Sequence, residues 1–148
     1  MTSRASGGPP DEFLEYRLVR LASRLERRFA ATLAPTGLSP RQFSVLAVLT
    51  ESPGVTSAEL ARAVLTTPQS MGALLDQMES RGLVERTAER GRGRAAPIRV
   101  TDAGAALLRE AYQLVDALDG ATRQRLGERD HQQLTRLLAV LEGHVGED

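Results

Sequence analysis

Thr67-Pro68-Gln69-Ser70-Met71-Gly72-Ala73-Leu74-Leu75-Asp76-Gln77-Met78 is the stretch that decides the fold of this 148-residue chain. Thr67 followed by Pro68 starts a helix, because proline suits the first helical position, where its missing N–H costs nothing. Met71, Leu74, Leu75 and Met78 recur at i, i+3, i+4 and i+7, which predicts one buried face. Gln69, Ser70, Ala73 and Gln77 then point the other way. That outer face is polar, small and uncharged, unlike an ordinary solvated helix face. It suits close approach to the edges of base pairs: Gln can pair bidentately with adenine, Ser bonds either partner, and an Ala methyl can touch a thymine methyl. Ser70 and Gly72 keep the surface low. Taken alone, a plain exposed helix face fits these residues equally well.

Working outward towards the N-terminus, Val55-Thr56-Ser57-Ala58-Glu59-Leu60 opens a short helix ending near Leu65. Thr56 caps it, Glu59 completes a capping box, and Val55 with Leu60 forms a hydrophobic staple. Only about three residues separate this helix from the next, the spacing of a helix-turn-helix. Leu38-Ser39-Pro40-Arg41-Gln42-Phe43 repeats the same grammar, with Ser39 as cap, Gln42 closing the box and Leu38 against Phe43. That helix runs through Val45, Leu46 and Leu49 and stops before Ser52-Pro53-Gly54.

Beyond Gly82 the period changes from helix to strand. Leu83-Val84-Glu85-Arg86-Thr87-Ala88 and Pro97-Ile98-Arg99-Val100 predict two short strands around Glu89-Arg90-Gly91-Arg92-Gly93-Arg94-Ala95-Ala96. Pro97 cannot donate to a ladder, so its strand starts there or lies at an edge. A helix-turn-helix followed by a basic hairpin is a winged helix. The tip glycines let it bend, and Arg90, Arg92 and Arg94 can lie on phosphates or enter a minor groove. Arg90 has Glu85, Glu89 or the region of Glu79 as neutralising neighbours. With the hairpin present, base reading becomes the better account of Thr67, Pro68, Gln69, Ser70, Ala73 and Gln77, because the parts have the docking arrangement of this motif class.

Long helices flank this unit. In residues 11–34, Leu14, Leu18, Leu21, Leu25 and Phe29 form one apolar stripe, stopped by Pro35-Thr36-Gly37. Thr101-Asp102 begins another helix carrying Leu107, Leu108, Ala111, Leu114, Val115 and Leu118. Gly120 and Gly127 interrupt the C-terminal part, where a last helix from about Glu128 carries Leu134, Leu137, Leu138 and Leu141. These helices exceed what a small winged helix needs to cover itself. A homodimer is therefore expected, with Leu14, Leu18, Leu21, Leu114, Leu118, Leu134, Leu138 and Leu141 at its interface, although a plain intramolecular core is the alternative. Residues 1–10 are small, polar and Gly/Pro-rich, and are expected to form a disordered tail and not a signal peptide.

Composition excludes several function classes. The chain has no Cys, so a thiolate metal site, a Cys nucleophile and a disulfide framework are ruled out. His131 and His144 are expected to be solvated, as are Asp116 and Asp119. No Gly-rich phosphate loop or metal-ligand spacing occurs, so neither an enzyme, a cofactor nor a metal is expected. Phe13, Tyr16 and Tyr112 either pack or line a ligand pocket. No run approaches the length that spans a bilayer, and a cytoplasmic location is expected.

The charges sum to zero, 19 Arg against 19 Asp+Glu, with no Lys. Arg, Ala and Gly codons rise together in GC-rich genomes, which accounts for the missing Lys. The balance conceals an asymmetry: within residues 81–99, Arg81, Arg86, Arg90, Arg92, Arg94 and Arg99 face only Glu85 and Glu89.

In order and spacing, Leu38-Ser39-Pro40-Arg41-Gln42-Phe43, Ser52-Pro53-Gly54, Glu59-Leu60-Ala61, Thr67-Pro68-Gln69-Ser70-Met71, Arg81-Gly82-Leu83-Val84-Glu85-Arg86 and Val100-Thr101-Asp102-Ala103-Gly104 resemble the MarR-type winged helix-turn-helix transcriptional regulators, over about residues 11–145. The resemblance implies a mainly α fold with a small β-hairpin (α+β). A DNA-binding domain would span residues 35–100, between dimerisation helices in 11–34 and 101–148. It implies a homodimer on a pseudo-palindromic double-stranded DNA operator, commonly as a repressor, with a small-molecule effector often bound between the two regions. One departure lies in the wing. The family commonly places an Asp two residues before a wing Arg; with Arg94 as that Arg, Arg92 replaces the bracing Asp and leaves the tip more positive. The rival function is a winged helix that contacts proteins and binds no DNA.

Overall fold

Four helices of the computed structural model, which describes residues 12–86 and 97–146, begin on a hydroxyl that takes up a free backbone N–H. Ser39 accepts from the Gln42 amide at 3.2 Å and opens α2, Pro40–Glu51, while Gln42 Oε1 accepts from Ser39 N at 3.0 Å. Thr56 and Glu59 form the same reciprocal pair, at 3.2 and 2.7 Å, before α3, Ser57–Ala63. Thr67 caps α4, Pro68–Ser80, and Thr101 caps α5, Asp102–Leu126. Such caps contribute about 1 kcal/mol each. The flanking helices are α1, Leu14–Leu33, which runs into a 3-10 turn over Ala34–Thr36, and α6, Glu128–Val145.

The turn between α3 and α4 is tight. Leu65 sits there with φ 52, in the left-handed region that β-carbon sterics normally reserve for Gly, and its side chain stands in solvent. After α4, β1, Val84–Arg86, pairs antiparallel with β2, Ile98–Val100, in the register Val84↔Val100 and Arg86↔Ile98. The remainder of the hairpin expected from sequence, including Thr87, Ala88 and the tip, lies outside the described residues, as does the tail over 1–10.

One core holds these pieces. Leu33, Val45, Leu46, Leu60, Met71, Leu75 and Met78 are its fully buried large side chains, joined by Leu83, Val84 and Ile98 from the hairpin and Leu108 and Ala111 from α5. Burying each such side chain contributes about 1.5–3 kcal/mol. The Met71, Leu75 and Met78 face of α4 is thus inward as the spacing predicts, with Leu74 half-buried beside it.

The start of α5 is sutured to the hairpin. Thr101 N donates to Leu83 O at 3.1 Å, and the Thr101 hydroxyl donates to Gly82 O while accepting from Gly104 N. Gly104 lies so close to the Leu83 carbonyl that an added methyl would overlap its oxygen and come within 3.0 Å of Val100 Cγ1.

Two expectations for the C-terminal helices fail. Gly120 does not interrupt α5, which continues to Leu126; one glycine costs only about 1 kcal/mol, which a helix anchored along its length absorbs. Gly127, at φ 83, makes the break instead. His131 is not solvated either. Its Nε2 lies 2.9 Å from Asp119 Oδ1 with the side chain only 15% exposed, and Arg123 joins Asp119 at 3.1 Å and Glu128 at 3.6 Å. The helix turn at Gly127 folds α6 back on α5 and brings together residues twelve apart.

The expected interface leucines divide into two sets. Leu14, Leu21, Leu134 and Leu138 are 41–55% exposed, while Leu18, Leu114, Leu118 and Leu141 are half-buried. No residue of α6 is buried in the single chain, although Leu134, Leu137, Leu138 and Val140 run along it.

Two outcomes are expected from these contacts. Gly104→Ala should lower stability by about 1–3 kcal/mol or more, since the obstructing atoms are backbone and cannot rotate away; chemical denaturation measures it. The hydrogen bond from His131, helped by its charge and by Arg123, holds the Asp119 carboxyl below its ordinary range. A depressed carboxylate stabilises the fold at neutral pH and loses that contribution as pH falls through the lowered value. Carbon NMR should find Asp119 titrating low, and higher in His131→Ala.

Candidate nucleic-acid interface

The outer face of α4 is built as its sequence implies. Gln69, Ser70, Ala73 and Gln77 are exposed, and Thr67 and Pro68 stand exposed at its start. Thr67 is committed locally: its hydroxyl accepts from Ser70 N at 3.1 Å and donates to Ser70 Oγ at 2.9 Å. The Ser70 hydroxyl, accepting there, keeps its own proton to donate.

Gln77 has a different status. Its Oε1 accepts from Gln42 Nε2 at 3.1 Å, so the residue belongs both to the outer face and to a buried network. Gln42 is 5% exposed, and its Oε1 also accepts from Arg81 Nη1 at 3.1 Å. Arg81 Nη1 reaches Gly37 O at 3.1 Å as well. Among the described residues no buried side-chain polar atom lacks a partner. Gln77 is thus not an unengaged amide: its carbonyl oxygen already accepts one bond from inside the fold.

A cleft of about 440 Å³ runs along this face, lined by Arg41, Thr66, Ser70, Ala73, Leu74 and Gln77. Arg41 is a residue that sequence reasoning missed. It stands exposed in the first turn of α2 and forms no ion pair among the described residues. A signal was present: a cation at a helix N-terminus opposes the helix dipole, so local energetics disfavour it there. A second cleft, lined by Arg41, Arg62, Leu65, Thr66, Thr67 and Ser70, continues the basic border past the start of α4.

The arginines of residues 81–99 are less available than their number suggests. Arg86 is held by Asp76 at 2.7 Å and Glu79 at 2.8 Å, and these bonds, the one to Asp76 foremost, raise its pKa. Glu79 thus accepts bonds from both the backbone and the side chain of Arg86. Arg99 stands opposite Glu85 in the hairpin register, a favourable cross-strand pairing of charges. Arg81 serves the Gln42 network. Arg90, Arg92 and Arg94 lie outside the described residues.

The three aromatic candidates have different surroundings. Tyr112 packs edge-on against Phe43 with centroids 5.3 Å apart, and Phe43 against Phe29 at 5.6 Å, so Tyr112 cements the α1, α2 and α5 junction. Burial pushes its phenol pKa up. Phe13 and Tyr16 stand exposed at the start of α1, where Tyr16 lies under the Arg20 guanidinium. Among the described residues no group of three His, Cys, Asp or Glu side chains could hold a metal ion, and no helix is long and apolar enough to cross a membrane.

A short helix, a tight turn, a second helix with a small uncharged outer face, and an antiparallel hairpin behind it define a winged helix-turn-helix. A model of the MarR family matches residues 36–95. The HTH-type transcriptional repressor Rv2887 of Mycobacterium tuberculosis (strain ATCC 25618 / H37Rv) is 37% identical over 131 residues, spanning 88% of this chain and 94% of that protein. Among solved structures, the transcriptional repressor CouR bound to a 23-mer DNA duplex superposes with a TM-score of 0.84 at 33% identity, covering 94% of this chain and 99% of that one. Rv2887 in complex with salicylic acid gives a TM-score of 0.72 at 36% identity, over 93% and 98% of the two chains. The chain belongs to the MarR family.

Proposed function

We propose that this protein is a homodimeric, sequence-specific double-stranded DNA-binding transcriptional regulator, acting in the cytoplasm as a repressor on a pseudo-palindromic operator. The observation that carries it is the α4 face: Gln69, Ser70, Ala73 and Gln77, exposed and uncharged, beside a cleft bordered by Arg41 and Arg62. Such a surface has hydrogen-bonding groups for base edges at its centre and cations for phosphates at its rim. The repressor relatives, one of them bound to DNA, support it.

In this proposal residues 35–100 bind DNA, with α4 in the major groove and Arg90, Arg92 and Arg94 on the backbone or in the minor groove. Residues 11–34 and 101–148 join two copies through the leucines that the single chain leaves uncovered on α1 and α6. Two-fold symmetry then sets the recognition helices about 34–36 Å apart, one helical turn of DNA. A small-molecule effector that alters this spacing would release the operator. The salicylic acid complex of Rv2887 supports a carboxylated aromatic effector. The chain does not act as an enzyme in this proposal.

Selection of bound duplexes from a random pool should return a palindromic consensus, with sedimentation giving a dimer at micromolar concentration. Absence of any duplex binding, or a monomer, would overturn the proposal. Arg41→Ala should weaken binding to all duplexes and make the dependence of log affinity on log salt shallower by about 1.8, the value of two phosphate contacts, one from each protomer. Gln69→Ala should instead erode preference among sequences and leave that slope unchanged.

A further inference from the structure

We propose that Gln42 sets the polarity of the Gln77 amide, so that Gln77 meets DNA as a hydrogen-bond donor and selects guanine. The inference rests on α4 lying in the major groove, and adds to it which base edge this residue can accept. Gln42 is a positioning residue here, and Gln77 is the residue that reads.

Donor and acceptor chemistry fixes each orientation in turn. Ser39 N and Arg81 Nη1 can only donate, and both lie within hydrogen-bond distance of one end of the Gln42 amide, at 3.0 and 3.1 Å. That end must be the carbonyl oxygen. The other end is then the NH2 group, which can only donate, and the atom 3.1 Å from it must be the Gln77 carbonyl oxygen. A flip of either amide would set two donors against each other inside a site where Gln42 is 5% exposed. The Gln77 NH2 group therefore lies on the side away from Gln42, and Gln77 lines the cleft with Ser70 and Ala73. Among the described residues that NH2 group has no intramolecular partner.

The consequence for recognition is specific. Pairing a glutamine with adenine needs both its groups, the NH2 on N7 and the carbonyl under the N6 amine. The carbonyl is drawn towards Gln42, so the NH2 group is the end that leads into the groove, and turning the carbonyl onto an adenine amine strains its bond to Gln42. Two N–H bonds remain, and guanine alone offers two adjacent major-groove acceptors, N7 and O6. Cytosine presents a donor at its edge and is repelled.

Gln42→Glu tests the relay, because it is nearly isosteric and reverses the polarity at one point. The carboxylate still accepts from Ser39 N and Arg81, but its second oxygen also accepts, so Gln77 must turn its NH2 group inward and its carbonyl to the groove. Side-chain amide exchange by nitrogen NMR reads this without DNA. In the parent dimer the Gln42 amide protons should be protected and those of Gln77 should exchange with solvent; in Gln42→Glu those of Gln77 should become protected. Protected Gln77 amide protons in the parent would overturn the relay, whatever DNA does.

Binding then tests the reading. On the duplex selected by the parent, Gln77→Ala should cost roughly fivefold to twentyfold in preference for guanine at one symmetric pair of positions. Replacing that guanine by 7-deazaguanine should cost the parent a similar factor and Gln77→Ala nothing. Gln42→Glu should move the preference there to cytosine or adenine. If the exchange pattern holds but no position responds to Gln77→Ala, the relay stands and Gln77 as a reader of bases is overturned. Should Gln42→Glu fail to fold by thermal unfolding, the parent exchange pattern and the deazaguanine comparison decide the matter.

Discussion

Gln42 buries its amide where α2, the turn after α1 and α4 converge, and the seating of α4 depends on how that amide is satisfied. Its oxygen serves Ser39 N and Arg81 while its nitrogen serves Gln77. Removing one partner from such a site leaves a buried polar atom unmet, at about 1–3 kcal/mol, so the arrangement tolerates no half-measures. Through Arg81 the same network reaches Gly37, whose φ of 68 turns the chain from α1 into α2. The capping box of α2, the entry of the chain into the core and the side-chain polarity on α4 thus share one residue.

The electrostatics depend on which arginines the scaffold consumes. Arg81 is spent on the Gln42 network, Arg86 on Asp76 and Glu79, and Arg123 on Asp119 and Glu128. Among the described residues, Arg41 and Arg62 border the cleft at the start of α4, Arg62 with Glu59 close enough for its charge to help hold that carboxyl below its ordinary range. A chain of zero net charge can thus offer cations beside the outer face of α4 without bulk attraction for every polyanion. Arg86 also clips β1 to α4, so the same ion pairs that withdraw charge hold the hairpin in place.

Much of the fold was legible because its determinants are local. Ser39 with Gln42 and Thr56 with Glu59 form the reciprocal caps that their three-residue spacing predicts, and the inward face of α4 agrees with the spacing of Met71, Leu75 and Met78. The Thr101 cap and the close approach of Gly104 to Leu83 explain why hydroxyl and glycine recur at that spacing after the second strand. Legibility ended where partners are distant in the chain. His131 looked solvated because nothing adjacent could bury it, yet the turn at Gly127 sets it on Asp119. Nor did the spacing show that Arg86, seven residues on, bonds both carboxylate oxygens of Glu79.

By itself the sequence determined the number and order of the helices, their caps, the buried face of α4 and the family resemblance, because capping and periodicity act within one or two helical turns. Only the tertiary structure decided the direction of the Gln77 amide, the commitment of Arg81 and Arg86, and the position of Arg41 beside α4. Those depend on groups brought together from 35 and 39 residues apart, as Gln42 is with Gln77 and with Arg81. A hydrogen bond has a donor and an acceptor end, and a sequence that names both residues leaves open which end of each amide faces the other until folding places a third group beside them.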